Sequence, residues 1–151
     1  MKLDKFWDGL KQIANGDYVI EGNLICEEDL IVDLDDRLVV KGKIEVKRSI
    51  KAGYGIEAGE GIKAGCGIKA GWGIKAGWGI EAGEGIEAGW GIEAKTFIHS
   101  EKRIFAGISV YHTSENCKKQ IKCAELRKGE ICFGDLIIEK PIVEMTIAEI
   151  E

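Results

Sequence analysis

The chain has 151 residues, of which 45% are hydrophobic and 31% charged, a balance that fits one globular domain and excludes a disordered chain. Its net charge of −5 argues against a surface for bare nucleic acid, which needs basic character. No apolar run is long enough to cross a bilayer, and Met1 opens a charged amphipathic stretch, so neither a membrane span nor a signal peptide is expected and the reading is cytoplasmic.

Residues 3–14, LDKFWDGLKQIA, place Leu3, Phe6, Leu10 and Ile13 at helical spacing, and Asn15-Gly16 follows as a stop. The pattern predicts a short capping helix within residues 1–16. Its role would be to cover an open end, with Phe6 or Trp7 as a partner anchor in the sharper reading.

Residues 17–49 keep a six-residue frame that counts back from Ile50 through Ile44, Leu38, Val32, Cys26 and Ile20. Charge is segregated here. Seven acids and no base lie between Glu21 and Asp36, then six bases and one acid between Arg37 and Lys51. Such runs are usually solvated faces. The sharper reading is an acidic surface, Asp33, Asp35 and Asp36 included, that imitates a phosphate backbone.

Residues 50–95 repeat Ile-(Lys/Glu)-Ala-Gly-x-Gly, and a short fixed period marks a solenoid. Ile and Ala are two apart, so they share one face of a strand and the charged residue takes the other. Gly-x-Gly then makes a corner. Tyr54, Glu60, Cys66, Trp72, Trp78, Glu84 and Trp90 share the fifth slot. An Ile/Ala interior cannot hold both Trp and a lone carboxylate, so that slot faces outward.

Coil length follows from charge. Equivalent residues of stacked coils lie about 4.8 Å apart, where like charges are disfavoured. With three units per coil, the ladders are Lys51–Lys69–Glu87, Glu57–Lys75–Glu93 and Lys63–Glu81–His99, with one like-charged step; with two units per coil, three of six steps are like-charged. The longer coil also aligns Tyr54, Trp72 and Trp90. The expected fold is an all-β, triangular β-solenoid over residues 17–112, with five 18-residue coils from Ile20 to Val110.

After the polar stretch 113–119, the segments QIKCAEL and ICFGDLIIE flank RKGE, which reads as the turn of a β-hairpin. Residues 113–151 are thus expected to be a C-terminal β-strand region, its apolar tail a last strand or a subunit contact.

No catalytic arrangement can be assembled. His99, His112, Cys117, Cys123 and Cys132 lack the close pairs of a zinc site, and five irregularly spaced cysteines are no disulfide framework. The glycines are corners and not phosphate cradles. We therefore expect no catalytic residue, metal or cofactor. The binding candidates are Tyr54, Trp72, Trp78 and Trp90, since exposed aromatics on a rigid surface suggest a partner, together with Asp33, Asp35 and Asp36. The bland alternative is that the aromatics shield the corner glycines.

In period, the repeat resembles the left-handed hexapeptide helix, but it departs in register, carrying Trp, Glu, Tyr or Cys four positions after the aliphatic residue. That resemblance implies acyl transfer through a histidine near an interface and an excursion loop. His99 is the residue to offer, and no loop is expected to interrupt the coils. The repeat array, RIFAGISVY at 103–111 and AELRKGEICFGDLIIE also resemble repeat proteins encoded in phages and prophages of Gram-positive bacteria. That resemblance implies a non-enzymatic inhibitor or adaptor, in the manner of an anti-CRISPR protein, acting on a host protein or nucleoprotein complex. Neither a membrane nor sequence-specific nucleic-acid contact is implied, and homo-oligomerisation would use the C-terminal region. Coil repetition resembles bactofilins too, which implies a self-assembling scaffold.

Overall fold

The computed structural model describes residues 1–108 and 119–139, and every regular element among them is a β-strand. In chain order these are β1 (Lys2–Asp4), β2 (Lys11–Gln12), β3 (Tyr18–Ile20), β4 (Leu24–Cys26), β5 (Leu30–Asp33), β6 (Leu38–Val40) and β7 (Ile44–Val46). Eight three-residue strands follow, β8 to β15, beginning at Ile50, Ile56, Ile62, Ile68, Ile74, Ile80, Ile86 and Ile92. The chain continues with β16 (Phe97–Ala106), β17 (Gln120–Cys123), β18 (Glu125–Phe133) and β19 (Asp135–Ile138).

Every third strand pairs in parallel. Ile50 lies beside Ile68 and Ile68 beside Ile86; Ile56 lies beside Ile74 and Ile74 beside Ile92; Ile62 lies beside Ile80 and Ile80 beside Ile98. The chain is therefore a three-sided β-solenoid with three six-residue units in each regular coil, as the charge ladders require. The repeated Ile and Ala are all buried and form one continuous core. Between them the charged positions alternate outward. Lys75 lies 3.8 Å from both Glu57 and Glu93, and Lys69 lies 3.7 Å from Glu87.

The first coil departs from the six-residue frame. Tyr18 pairs with Leu38, Leu24 with Ile44 and Leu30 with Ile50, each step two positions longer than in the regular coils. The two extra positions sit in the corner between β5 and β6, where Leu34 is buried as a plug. Val32, Cys26 and Ile20 are consequently inward, but in the repeat's Ala position, not its Ile position.

No helix forms at the N-terminus. β1 adds in parallel to β5, setting Leu3 on Val32, and β2 adds antiparallel to β3. Leu3 is buried, but Phe6 is 83% and Ile13 47% exposed, so the helical stripe never assembles. Gly9 and Gly16, at φ +90° and +98°, turn the chain between these strands. The physical reason is that an open coil presents unpaired backbone groups, which a strand satisfies and a helix does not. The covering role stays with residues 1–16, because Met1, Trp7 and Leu10 pack against the core. Deleting them should expose the first coil and cause aggregation, read by size-exclusion chromatography; a truncated chain that keeps its normal size would refute the role.

The C-terminal hairpin is also replaced by solenoid. β17 stacks on β15, β18 on β16 and β19 on β17, all parallel. Arg127–Glu130, expected as a turn, lies inside β18, which bends around a corner at Gly129 (φ +135°). Ile121 is the residue that stacks on Ile92, well beyond the position the regular spacing would supply. The additional positions fall between Ala106 and Gln120, so the expectation that nothing interrupts the coils fails. Val110, His112 and Cys117 lie outside the described residues.

Candidate interaction surfaces

Stacking brings the fifth-position side chains into three columns, one on each long edge of the prism. The amide of each bonds the carbonyl of its counterpart one coil earlier: Trp72 and Trp90 above Tyr54, Trp78 and Thr96 above Glu60, Glu84 and Lys102 above Cys66. The slot faces outward, as polarity demanded.

In the first column the rings touch. Tyr54 meets Trp72 edge to face, with centroids 4.7 Å apart and planes at 86°; Trp72 and Trp90 stack at 4.8 Å and 3°. The second separation is the strand spacing itself, so the backbone sets the stack. All three rings are half-buried. Beside them runs a groove of about 410 Å³. Gly55, Gly73 and Gly91 form its floor, Trp72 and Trp90 one wall, and Glu57, Lys75 and Glu93 the other. Shielding of the corner and display of the ring edges are both built into this arrangement.

The acidic corner belongs to the same edge. Asp35 and Asp36 sit between β5 and β6, and these strands underlie β8 and β9, which flank Tyr54. Arg37 reaches from that corner across Gly55 into the groove. Two surfaces selected separately from the sequence thus form one continuous rail.

Most acids of the run have partners. Asp33 lies 3.3 Å from Lys2, Glu27 3.9 Å from Lys47 and Asp29 3.5 Å from Arg48. Asp35 accepts from the Tyr18 hydroxyl at 2.6 Å, and Asp36 accepts from the Arg37 amide at 2.7 Å. The carboxylate of Asp17 takes a two-pronged hydrogen bond from Arg37, at 3.3 and 3.1 Å. Asp29 also accepts from the Ser49 amide and hydroxyl, which hold its carboxyl below the usual carboxylate range. Two of these pairs, Glu27 with Lys47 and Asp29 with Arg48, join the acidic run to the basic run one coil later.

Trp78 stands on another edge and is 61% exposed, without a ring above or below it. Next to it, Phe97 occupies the sixth position of its unit, where the repeat has glycine. Its ring lies 2.3 Å from where a Cβ on Gly79 would be, so it rests directly on that backbone. The Arg127 guanidinium lies over the Phe97 ring, 3.8 Å from its centre. Sequence reading missed Phe97 and Arg127; the available signal was the break of Gly-x-Gly at Thr96-Phe97.

His99 points outward in register with Glu81, with Nε2 2.7 Å from Glu101. Lys128 donates to the same carboxylate, and the two contacts, Lys128 first, hold Glu101 below its ordinary range. Cys26 and Cys123 are buried, Cys66 is half-buried and Cys132 exposed, and none of these four is in a disulfide. Among the described residues no group of three or more His, Cys, Asp or Glu is placed to hold a metal ion.

No family model, curated protein or solved structure matches this chain.

Proposed function

We propose that this is a non-enzymatic binding protein, an inhibitor or adaptor that docks on a host protein or nucleoprotein complex through the edge from Asp33 to Trp90. The observation that carries this reading is the convergence of Asp33, Asp35 and Asp36 with Tyr54, Trp72 and Trp90 on one edge. A rigid edge loses little conformational entropy on association, and clustered Trp and Tyr favour contact energy. The pairing of most acids with neighbouring coils makes phosphate mimicry the weaker part of the idea. Phage origin is proposed from resemblance only. The open last coil supports a second reading, self-association, which concerns a separate surface.

The test is capture of a partner from host lysate followed by affinity measurement. Trp90→Ala should weaken binding by about 2 kcal/mol or more if the edge holds a hot spot. Asp35→Lys with Asp36→Lys should slow association and change its salt dependence. Trp78→Ala, on another edge, should leave affinity unchanged. Loss of binding in Trp78→Ala alone would place the contact beside Phe97 and refute the proposed edge.

A further inference from the structure

The two ends of the solenoid are not alike. At the first, the lumen residues Leu3, Tyr18 and Leu24 are all buried, and Met1, Trp7 and Leu10 pack against the core. At the last, Leu136 stacks on Ile121 and Ile138 on Cys123, so both face the lumen, yet they are 41% and 47% exposed. Leu126 and Ile131, stacked on Ile98 and Ile104, are only partly buried. Among the described residues, β18 pairs with β16 alone and β19 with β17 alone, so each has an unpaired outer edge.

The sequence of β18 says what fits that edge. β18 wraps one corner, with Leu126 facing the lumen on one side and Ile131 on the other. A two-fold rotation through that corner, perpendicular to the stack, exchanges the two sides and runs the copies antiparallel. Register is fixed by keeping lumen residues opposite lumen residues, which sets Leu126 against Ile131 of the second copy and Ile131 against its Leu126. Counting one residue inward from each, Arg127 then faces Glu130 and Glu130 faces Arg127. Apolar facing selected the register; opposite charge follows without having been imposed. A strand slipped by two residues would instead set Glu125 against Glu130 and Arg127 against Lys128.

We propose that the last coil is a docking surface for a second copy of this chain, forming a closed, isologous dimer through antiparallel β18 edges. The contact is isologous, each copy contributing the same β18 edge, so it ends at two copies.

The experiment is light scattering of the full-length chain over a range of concentrations, with charge reversals. The mass should be twice the 16.5 kDa of one chain. Arg127→Glu and Glu130→Arg should each raise the dimer dissociation constant about tenfold, because two attractive cross-strand pairs become repulsive. The double variant Arg127→Glu/Glu130→Arg should restore it, which a merely unfolded single variant could not explain. A monomer at every concentration would overturn the proposal, and is the result expected if residues 140–151 of the same chain cover this end. A dimer indifferent to both reversals, or an open-ended assembly, would overturn it as well.

Discussion

Ile74→Ala is expected to destabilise the fold by about 2–5 kcal/mol. Ile74 is fully buried in the middle of one stack, with Ile56 and Ile92 as its direct neighbours. The cavity could close only if neighbouring coils moved together. They are held at strand spacing by hydrogen bonds on both sides, such as those from Ile74 to Gly91 and from Ile56 to Gly73. Relaxation is therefore small, and the cost falls toward the upper part of the range. Denaturant melts would measure it. A loss below about 1 kcal/mol would mean that the lumen is not close-packed there.

Gly71→Ala should be comparably damaging, at about 1–3 kcal/mol or more, while Gly53→Ala should be neutral or slightly stabilising. The two glycines hold the same place in the repeat and neither has a positive φ. They differ in what lies beneath. A Cβ on Gly71 would fall 2.0 Å from the carbonyl oxygen of Gly53, whereas a Cβ on Gly53 meets nothing within 4 Å. The glycine requirement is thus a matter of coil-to-coil approach, not of turn conformation. Thermal melts of the two variants side by side decide it; equal losses would restore the conformational explanation.

Much of this architecture was legible because the repeat is strict. Ile-(Lys/Glu)-Ala could only be a strand with one apolar face, and the charges chose a coil of three units over one of two. The same arithmetic aligns Tyr54, Trp72 and Trp90. Where the repeat decays, the frame misled. Between Leu30 and Leu38 the spacing is eight and not six, and no local propensity announces two extra positions in a corner. The N-terminal segment has helical spacing, but the open edge of the first coil outweighs that weak preference. RKGE looked like a turn because glycine sits among charges; the bend it makes lies between two faces of the prism, inside a strand. The rail from Asp33 to Trp90 was half legible. Its members were named, but their adjacency depended on the longer first coil. Phe97 and Arg127 were missed because they meet only through the long interval before Gln120.

The coil-to-coil register also bears on how the chain folds. Most of its tertiary pairings join residues one coil apart, so the mean sequence separation of contacts is short for an all-β protein, with a relative contact order of roughly 0.1. Each new coil needs only a small loop closed against an existing template. Folding should accordingly be fast for a β-protein and should spread from whichever coils order first, as in other nearest-neighbour arrays. The longer steps at the two ends, from Lys2 to Ile31 and from Ile92 to Ile121, are the exceptions. Closing them takes the longest entropic searches in the stack, so the first and last strands should dock after the regular coils have formed and be the first to open in hydrogen exchange.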